Sequence, residues 1–196
     1  FAWAEGEAAY VPVRAPAGDR VLPLTDVLAV LGPILEDESI KKIGQNLKYD
    51  MIVLRGAGVT LRGLSFDTMI ASYLLDAGER THNLDVLSDR YLGHTTVKIS
   101  ELIGTGKNQK RMDEVPVAQI AEYAAEDADV PLRLWPMLHE RLDRDGLLPL
   151  SDDLETPLVE VLAEMEWNGV RVDTDRLAEL SKQFAVRSQE LAEQIE

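Results

Sequence analysis

The sequence predicts an α/β fold with a short mixed sheet, followed by a helical tail. Three observations support this. Short apolar runs alternate with amphipathic helical stretches up to about residue 144. The turns between them carry Gly, Asn and Asp. After residue 150 the pattern becomes helical, with a single short strand signal.

The elements follow in chain order. Ala8 to Val13 reads as a strand, with Phe1-Ala-Trp3 as its partner and Glu5-Gly6-Glu7 as the turn. Leu24 to Leu35 is an amphipathic helix with Thr25 as N-cap. Ser39 to Ile43 is a short strand. Gly44-Gln45-Asn46 then turns the chain, and Asn46 caps a helix that continues to about Arg55. Val59 to Phe66 is another strand, and Asp67 caps the helix that ends near Leu75. Shorter helical segments fall near Leu84–Tyr91, with Asn83 as cap, and near Ile99–Leu102. A long helix starts at Pro116 and runs to about Leu142. Pro131 lies inside it, frees the carbonyl of Asp127 and is expected to bend the axis. A boundary is expected between residues 144 and 149. Beyond it come a helix over Leu154–Trp167, a turn at Asn168-Gly169, a short strand Val170–Val172 and a final helix capped by Asp173 or Thr174.

Composition excludes several classes of function. There is no cysteine, so disulfides and thiolate metal sites are ruled out. No apolar run approaches the roughly 18 residues of a membrane span, and no signal peptide is visible. The net charge of −15 argues against a broad basic face for nucleic acid and is compatible with divalent cations. His82, His94 and His139 are scattered, which argues against zinc.

The most informative stretch is Tyr123-Ala-Ala-Glu-Asp127-Ala-Asp129. With Tyr123 at zero on a helical wheel, Asp127 falls at about 40°. That angle lies inside a stripe formed by Val117, Ile120, Ala124, Leu134, Trp135 and Leu138. Glu126, Asp129 and Arg133 fall on the opposite side and are expected to face solvent, so Asp129→Ala is expected to cost little. A buried carboxylate must be neutral, paired or metal-bound. Asp50 has a similar place on the helix that starts at Asn46, in the first turns, where the helix N-terminus favours negative charge. Two inward carboxylates on separate helices can share a divalent cation, and an all-oxygen set suits Mg²⁺ or Mn²⁺. The other reading of either residue is a capped or salt-bridged aspartate. Asp67 reads as a cap, and Tyr49 and Tyr73 as packing residues.

Further polar residues have two readings each. Gly104-Thr-Gly-Lys107-Asn-Gln-Lys110-Arg111 is a basic, glycine-rich loop. Lys107, Lys110 and Arg111 can contact a DNA backbone or form a plain solvated loop. Gln45 and Asn46 can hydrogen-bond a terminal nucleotide, or Asn46 can merely cap.

The motifs Lys42-Ile-Gly-Gln-Asn-Leu-Lys-Tyr-Asp50, Phe66-Asp67-Thr68-Met69, Gly104-Thr-Gly-Lys-Asn-Gln109 and Tyr123-Ala-Ala-Glu-Asp127-Ala-Asp129 occur in this order. Together they resemble the 3′–5′ exonuclease domain of bacterial DNA polymerase I, a family-A polymerase. Glu166-Trp-Asn-Gly-Val-Arg-Val-Asp173 resembles the segment where that family enters its polymerase region. The resemblance implies a ribonuclease-H-like fold and proofreading hydrolysis of single-stranded DNA 3′ ends with two metal ions, Mg²⁺ or Mn²⁺. Carried over by motif, Asp127 binds the metal on the nucleophile side. Asp50 holds the second through water, and Tyr123 orients the attacking water. Residues 1–144 would be the exonuclease-like domain and residues 145–196 the start of a polymerase domain in cis. A bacterial cytoplasmic, nucleoid-associated monomer with no membrane contact is expected.

One departure sets a further expectation. The family carries Asp-x-Glu on a first strand, and no such strand precedes Trp3 in this sequence. With that strand missing, this chain is expected to bind Mn²⁺ weakly and to lack appreciable exonuclease activity. The alternatives are a catalytically inactive structural domain of the polymerase and a related exoribonuclease.

Overall fold

Two short ladders hold the strands of the chain, whose residues 1–195 are described in a computed structural model. β1 (Ala2–Ala4) and β2 (Glu7–Ala8) form an antiparallel hairpin. β3 (Lys42–Gly44) and β4 (Leu64–Asp67) are parallel, and Gly44 stands opposite Asp67. The helices are α1 (Leu24–Glu36), α2 (Leu47–Gly56), α3 (Thr68–Leu75), α4 (Leu84–Leu87), α5 (Ile99–Ile103) and α6 (Val117–Arg144). They continue as α7 (Leu148–Leu150), α8 (Thr156–Asn168) and α9 (Thr174–Ile195). The architecture is the mixed α/β arrangement expected, and α6 packs against β1, β2, β3 and α3.

The strands are shorter than the patterns suggest. β2 ends at Ala8 rather than Val13. Pro12 cannot donate to a ladder, and its carbonyl instead accepts from the Leu22 N–H at 2.8 Å. The third strand begins at Lys42 rather than Ser39, because the Asp37 carboxylate accepts from both the N–H and the hydroxyl of Ser39 and closes a turn. The fourth begins at Leu64 rather than Val59. Gly63 has φ +71°, and a Cβ there would meet the Ile40 carbonyl oxygen at 2.7 Å. Val170–Val172 is not a strand, having no ladder partner among the described residues.

Helix starts also differ. Thr25 is inside α1, whose N-cap is Pro23, with the Pro23 carbonyl accepting from the Asp26 and Val27 N–H groups. Asn46 precedes α2 in the left-handed conformation, φ 58°, and makes no side-chain cap. Asp67 and Asn83 cap as expected, accepting from Met69 N–H and Val86 N–H. α4 runs on as a π turn over Ser88–Leu92. At α6 the Asp19 carboxylate accepts from the Val117 N–H at 2.8 Å, a long-range cap. Asp173 accepts from the Arg176 N–H and so caps α9.

The main core lies between α6, α3, α4 and β4. Leu134, Leu138 and Leu142 are fully buried at i, i+4 and i+8 of α6, beside Phe66, Leu87 and Val130. Trp135, placed on this stripe by the sequence, is 39% exposed and sits edge-on to His139. A second cluster joins Leu35, Val59 and Leu61 under α1, and a third joins Ile103, Val115 and Ile120 with Tyr10. Leu138→Ala is expected to cost about 2–5 kcal/mol of unfolding free energy, because the removed atoms leave a cavity inside a closed layer. Urea unfolding followed by circular dichroism checks it.

Two compact units are distinguished, Phe1–Ala163 and a second from Glu164 onward. Every site residue described below belongs to the first. In the second unit α9 buries none of its residues.

Candidate nuclease site

The site is built where two helices begin and one passes. The register that sets Gly44 beside Asp67 brings the Asp67 carboxylate to the first turn of α2. There it accepts from Asn46 N–H at 3.0 Å and Leu47 N–H at 2.7 Å, while also accepting from Met69 N–H at 2.9 Å at the start of α3. One side chain therefore caps both helices. It is more than the simple cap expected for α3, and it takes the role assigned to Asn46. Asp67 is 7% exposed, and burial raises its pKa despite the opposing backbone hydrogen bonds.

Asp50 projects from the first turn of α2. Its pKa is pushed up to about 6, mainly by desolvation, then by the negative charges of Asp67 and Asp127. Asp127 on α6 is also raised, by desolvation first and by Asp85 and Glu126 in addition, against a hydrogen bond from Tyr123. Tyr123, one turn earlier and half-buried, has its pKa raised by desolvation and by Asp127, so it stays protonated and donates to that carboxylate.

Both Asp50 and Asp127 are exposed by surface area, which corrects the buried placement expected for them. Angular position on a helix reports which side faces the protein, not how deep it lies. Each carboxylate keeps an open solvent side while protein atoms crowd the others, so a raised pKa and an exposed surface coexist. That open side also screens the cost of the charge.

A carboxyl group with a raised folded-state pKa binds its proton more tightly when folded. Asp50 therefore contributes stability below about pH 4, and this is lost as pH rises through about 6. Asp50→Asn is expected to raise the thermal midpoint at pH 7.5 in chelator and to give no gain at pH 4. Paired melts at the two pH values test this, and an equal change at both would contradict it.

The donor set suits a hard cation in kind. Two ionisable oxygen ligands are near enough for the charge of Asp127 to raise the pKa of Asp50, and a divalent ion would relieve that repulsion. In number the set is small. Among the described residues no group of three or more His, Cys, Asp or Glu side chains is gathered for a metal. Concavities of about 300 and 330 Å³ flank α1, and Asp50, Tyr123 and Asp127 line neither.

The remaining expected site residues are placed as follows. The Gln45 side-chain amide donates to the His82 carbonyl at 2.8 Å and accepts from the Thr68 hydroxyl, so it braces the turn before α2. Asn46 is half-buried at the same turn. Lys107, Lys110 and Arg111 are exposed on the loop after α5, and Arg111 pairs with Asp113 at 2.7 Å. Tyr49 and Tyr73 are 64% and 56% exposed rather than packed, although Tyr73 meets His82 edge-on.

Two acids expected to face solvent are tied down instead. Glu126 lies 2.9 Å from His94 Nε2 and accepts from Val97 N–H at 2.8 Å. Asp129 accepts from Gly6 N–H at 2.7 Å. The wheel places them correctly away from the core, but a loop and a hairpin cover that side of α6. No local sequence signal marks this.

Comparison with known proteins places the chain beside a family, its relatives and several solved structures. Residues 1–143 match the family described as 3′–5′ exonuclease of the A-type DNA polymerases. DNA polymerase I of Rhizobium leguminosarum is 42% identical over 198 residues, spanning 96% of this chain and 19% of that protein. Among solved structures, the POL domain of Pol1 from M. smegmatis, in complex with DNA primer-template and dNTP, superposes with TM-score 0.71 at 30% identity. That match covers 89% of this chain and 27% of the other. Brucella melitensis NrnC bound to pGG gives TM-score 0.56 at 25% identity, covering 82% of this chain and 72% of that one.

Proposed function

The chain belongs to the 3′–5′ exonuclease family of the A-type DNA polymerases, and from that membership we propose that it removes nucleotides from the 3′ end of single-stranded DNA as the proofreading part of a DNA polymerase. One observation carries the reading: Asp127 on α6 is near enough for its charge to raise the pKa of Asp50 on α2, and the Tyr123 hydroxyl donates a hydrogen bond to Asp127. This is the residue set that the motifs assign to phosphodiester hydrolysis.

Asp50 and Asp127 would hold divalent cations, Mg²⁺ or Mn²⁺, which supply activation of water and charge stabilisation of the leaving 3′ oxygen. Tyr123 remains protonated, so its hydroxyl orients the attacking water and does not take its proton. Asp127 in turn fixes the direction of that hydroxyl. Gln45 and Asn46, at the turn before α2, lie at the start of the helix that carries Asp50 and would meet the terminal nucleotide. Lys107, Lys110 and Arg111 would follow the phosphate backbone. Residues 1–144 form the nuclease domain in this reading, and residues from 145 onward open the polymerase region in cis. The setting is the bacterial cytoplasm, in association with the nucleoid, with the protein as a monomer.

The test is release of mononucleotides from a 3′-labelled single strand by the whole polypeptide that contains this chain, in Mg²⁺ or Mn²⁺ against chelator. Loss of release in chelator supports the reading, and equal release with and without metal would sink it. Residues 1–196 alone are expected to bind Mn²⁺ weakly, since two carboxylates fall well short of the roughly six ligands an oxygen site needs. A second reading, action on RNA, is favoured by the likeness to NrnC bound to pGG. Faster consumption of an RNA strand than of the matching DNA strand would select it.

A further inference from the structure

α6 presents Asp127 at a point where its own backbone is weakened. Pro131 lies within the helix and carries no N–H, so the carbonyl of Asp127 has no donor one turn ahead. Side chains on both sides of Asp127 hold this turn instead. Glu126 Oε2 accepts from Val97 N–H at 2.8 Å, and Oε1 lies 2.9 Å from His94 Nε2. The loop gripped in this way is itself anchored. Ser88 Oγ donates to the His94 carbonyl at 2.8 Å, and Thr96 Oγ1 donates to Asp85 at 2.8 Å. On the other side, Asp129 Oδ1 accepts from Gly6 N–H at 2.7 Å. Arg133 lies 3.7 Å from Asp129 and 3.3 Å from Glu5 in the same hairpin turn.

We propose that Glu126 and Asp129 are positioning residues for the exonuclease reaction, clamping the rotation of α6 about its axis so that Asp127 and Tyr123 meet the scissile phosphodiester at the required angle. This inference rests on the exonuclease reading of the site. Glu126 lies about 100° before Asp127 around the helix, and Asp129 about 200° after it. The two grips therefore hold the helix from behind and from the flank, and leave the Asp127 side open. A side-chain tip is roughly 5–6 Å from the helix axis, so a roll of about 10° shifts it by about 1 Å. A misplacement of that size costs on the order of a hundredfold in rate.

The experiment uses the whole polymerase polypeptide with Glu126→Ala, Glu126→Gln, Asp129→Ala and Asp129→Asn. Each alanine variant is expected to lower kcat for mononucleotide release about tenfold to a hundredfold with little change in KM. The amide variants keep an acceptor for Val97 or Gly6 and are expected to recover most of that loss. Hydrogen exchange at the Val97 and Gly6 amides, measured without DNA or metal, reports the grips themselves and should quicken in the alanine variants. If Glu126→Ala does not fold, His94→Ala removes one of its partners and gives the same reading. Faster exchange at these amides with kcat unchanged overturns the inference. Full activity of Asp127→Asn would instead overturn the exonuclease reading. An inactive Asp127→Asn beside fully active Glu126→Ala and Asp129→Ala would overturn the clamp alone.

Discussion

In the whole polypeptide that contains this chain, Asp127→Asn is expected to lower mononucleotide release from a 3′-labelled single strand by about 10²–10³-fold while leaving the fold intact. The rate effect follows from removing a charge where the reaction must hold cations against a phosphodiester, and losses of single electrostatic contacts at such sites have this size. The fold survives because Asp127 is a net electrostatic cost in the protein. Burial and the neighbouring Asp85 and Glu126 raise its pKa, and Asn removes that charge but keeps an oxygen for the Tyr123 hydroxyl. The measurement is initial rate in Mg²⁺ alongside a thermal melt. An unaltered rate, or a melt showing unfolding, would count against this account. Tyr123→Phe is expected to cost less, about tenfold, since it removes orientation of the water and no charge.

The largest effect on stability is expected at Asp67. Replacement by Ala strips the acceptor from three backbone N–H groups, those of Asn46, Leu47 and Met69. Each buried donor left unsatisfied costs about 1–3 kcal/mol. Burial of the Asp67 charge offsets part of this, because desolvation outweighs the hydrogen bonds and raises its pKa. A net loss of about 3–5 kcal/mol is expected, a large share of the roughly 5–15 kcal/mol that holds a domain. Asp67→Asn, with one acceptor oxygen, should fall between. Urea midpoints measure both. The same variants should lower the pKa of Asp50, whose largest charged perturber is Asp67, and carboxyl NMR titration reads that shift. An Asp50 pKa unchanged in Asp67→Ala would show that the Asp67 charge does not reach it, leaving desolvation and Asp127 as the causes.

What could be read from the residues was local. Periodicity and punctuation are short-range properties, so the order of strands and helices, the caps at Asp67 and Asn83 and the apolar stripe of α6 are visible in them. The motifs around Asp50, Tyr123 and Asp127 likewise stand in contiguous segments. The misplacements share one cause. Asn46 looks like a cap because Asn commonly is one, yet the acceptor for that turn comes from Asp67, across the parallel pairing of β3 and β4. Glu126 and Asp129 are polar and face away from the core, which a wheel reads as solvent. The loop around Val97 and the turn at Gly6 cover them, and their arrival there depends on the path of the whole chain. Depth is invisible for the same reason, which is why Asp50 and Asp127 were expected to be buried and are exposed.

The link between Gly6 and Asp129 spans 123 positions of sequence. Ribosomes add about 5–20 residues each second, so roughly 6–25 s pass between the making of the turn and the making of its anchor. During that interval the hairpin has its own ladder, Ala2–Ala4 against Glu7–Ala8, and an isolated two-stranded hairpin is marginal in water. Tyr10 likewise waits for Val115 and Ile120 before it has a core to join. Residues 1–10 therefore gain their long-range partners only after residues as far as Asp129 have been made, and that delay is the window in which a nascent-chain chaperone or a protease would find them.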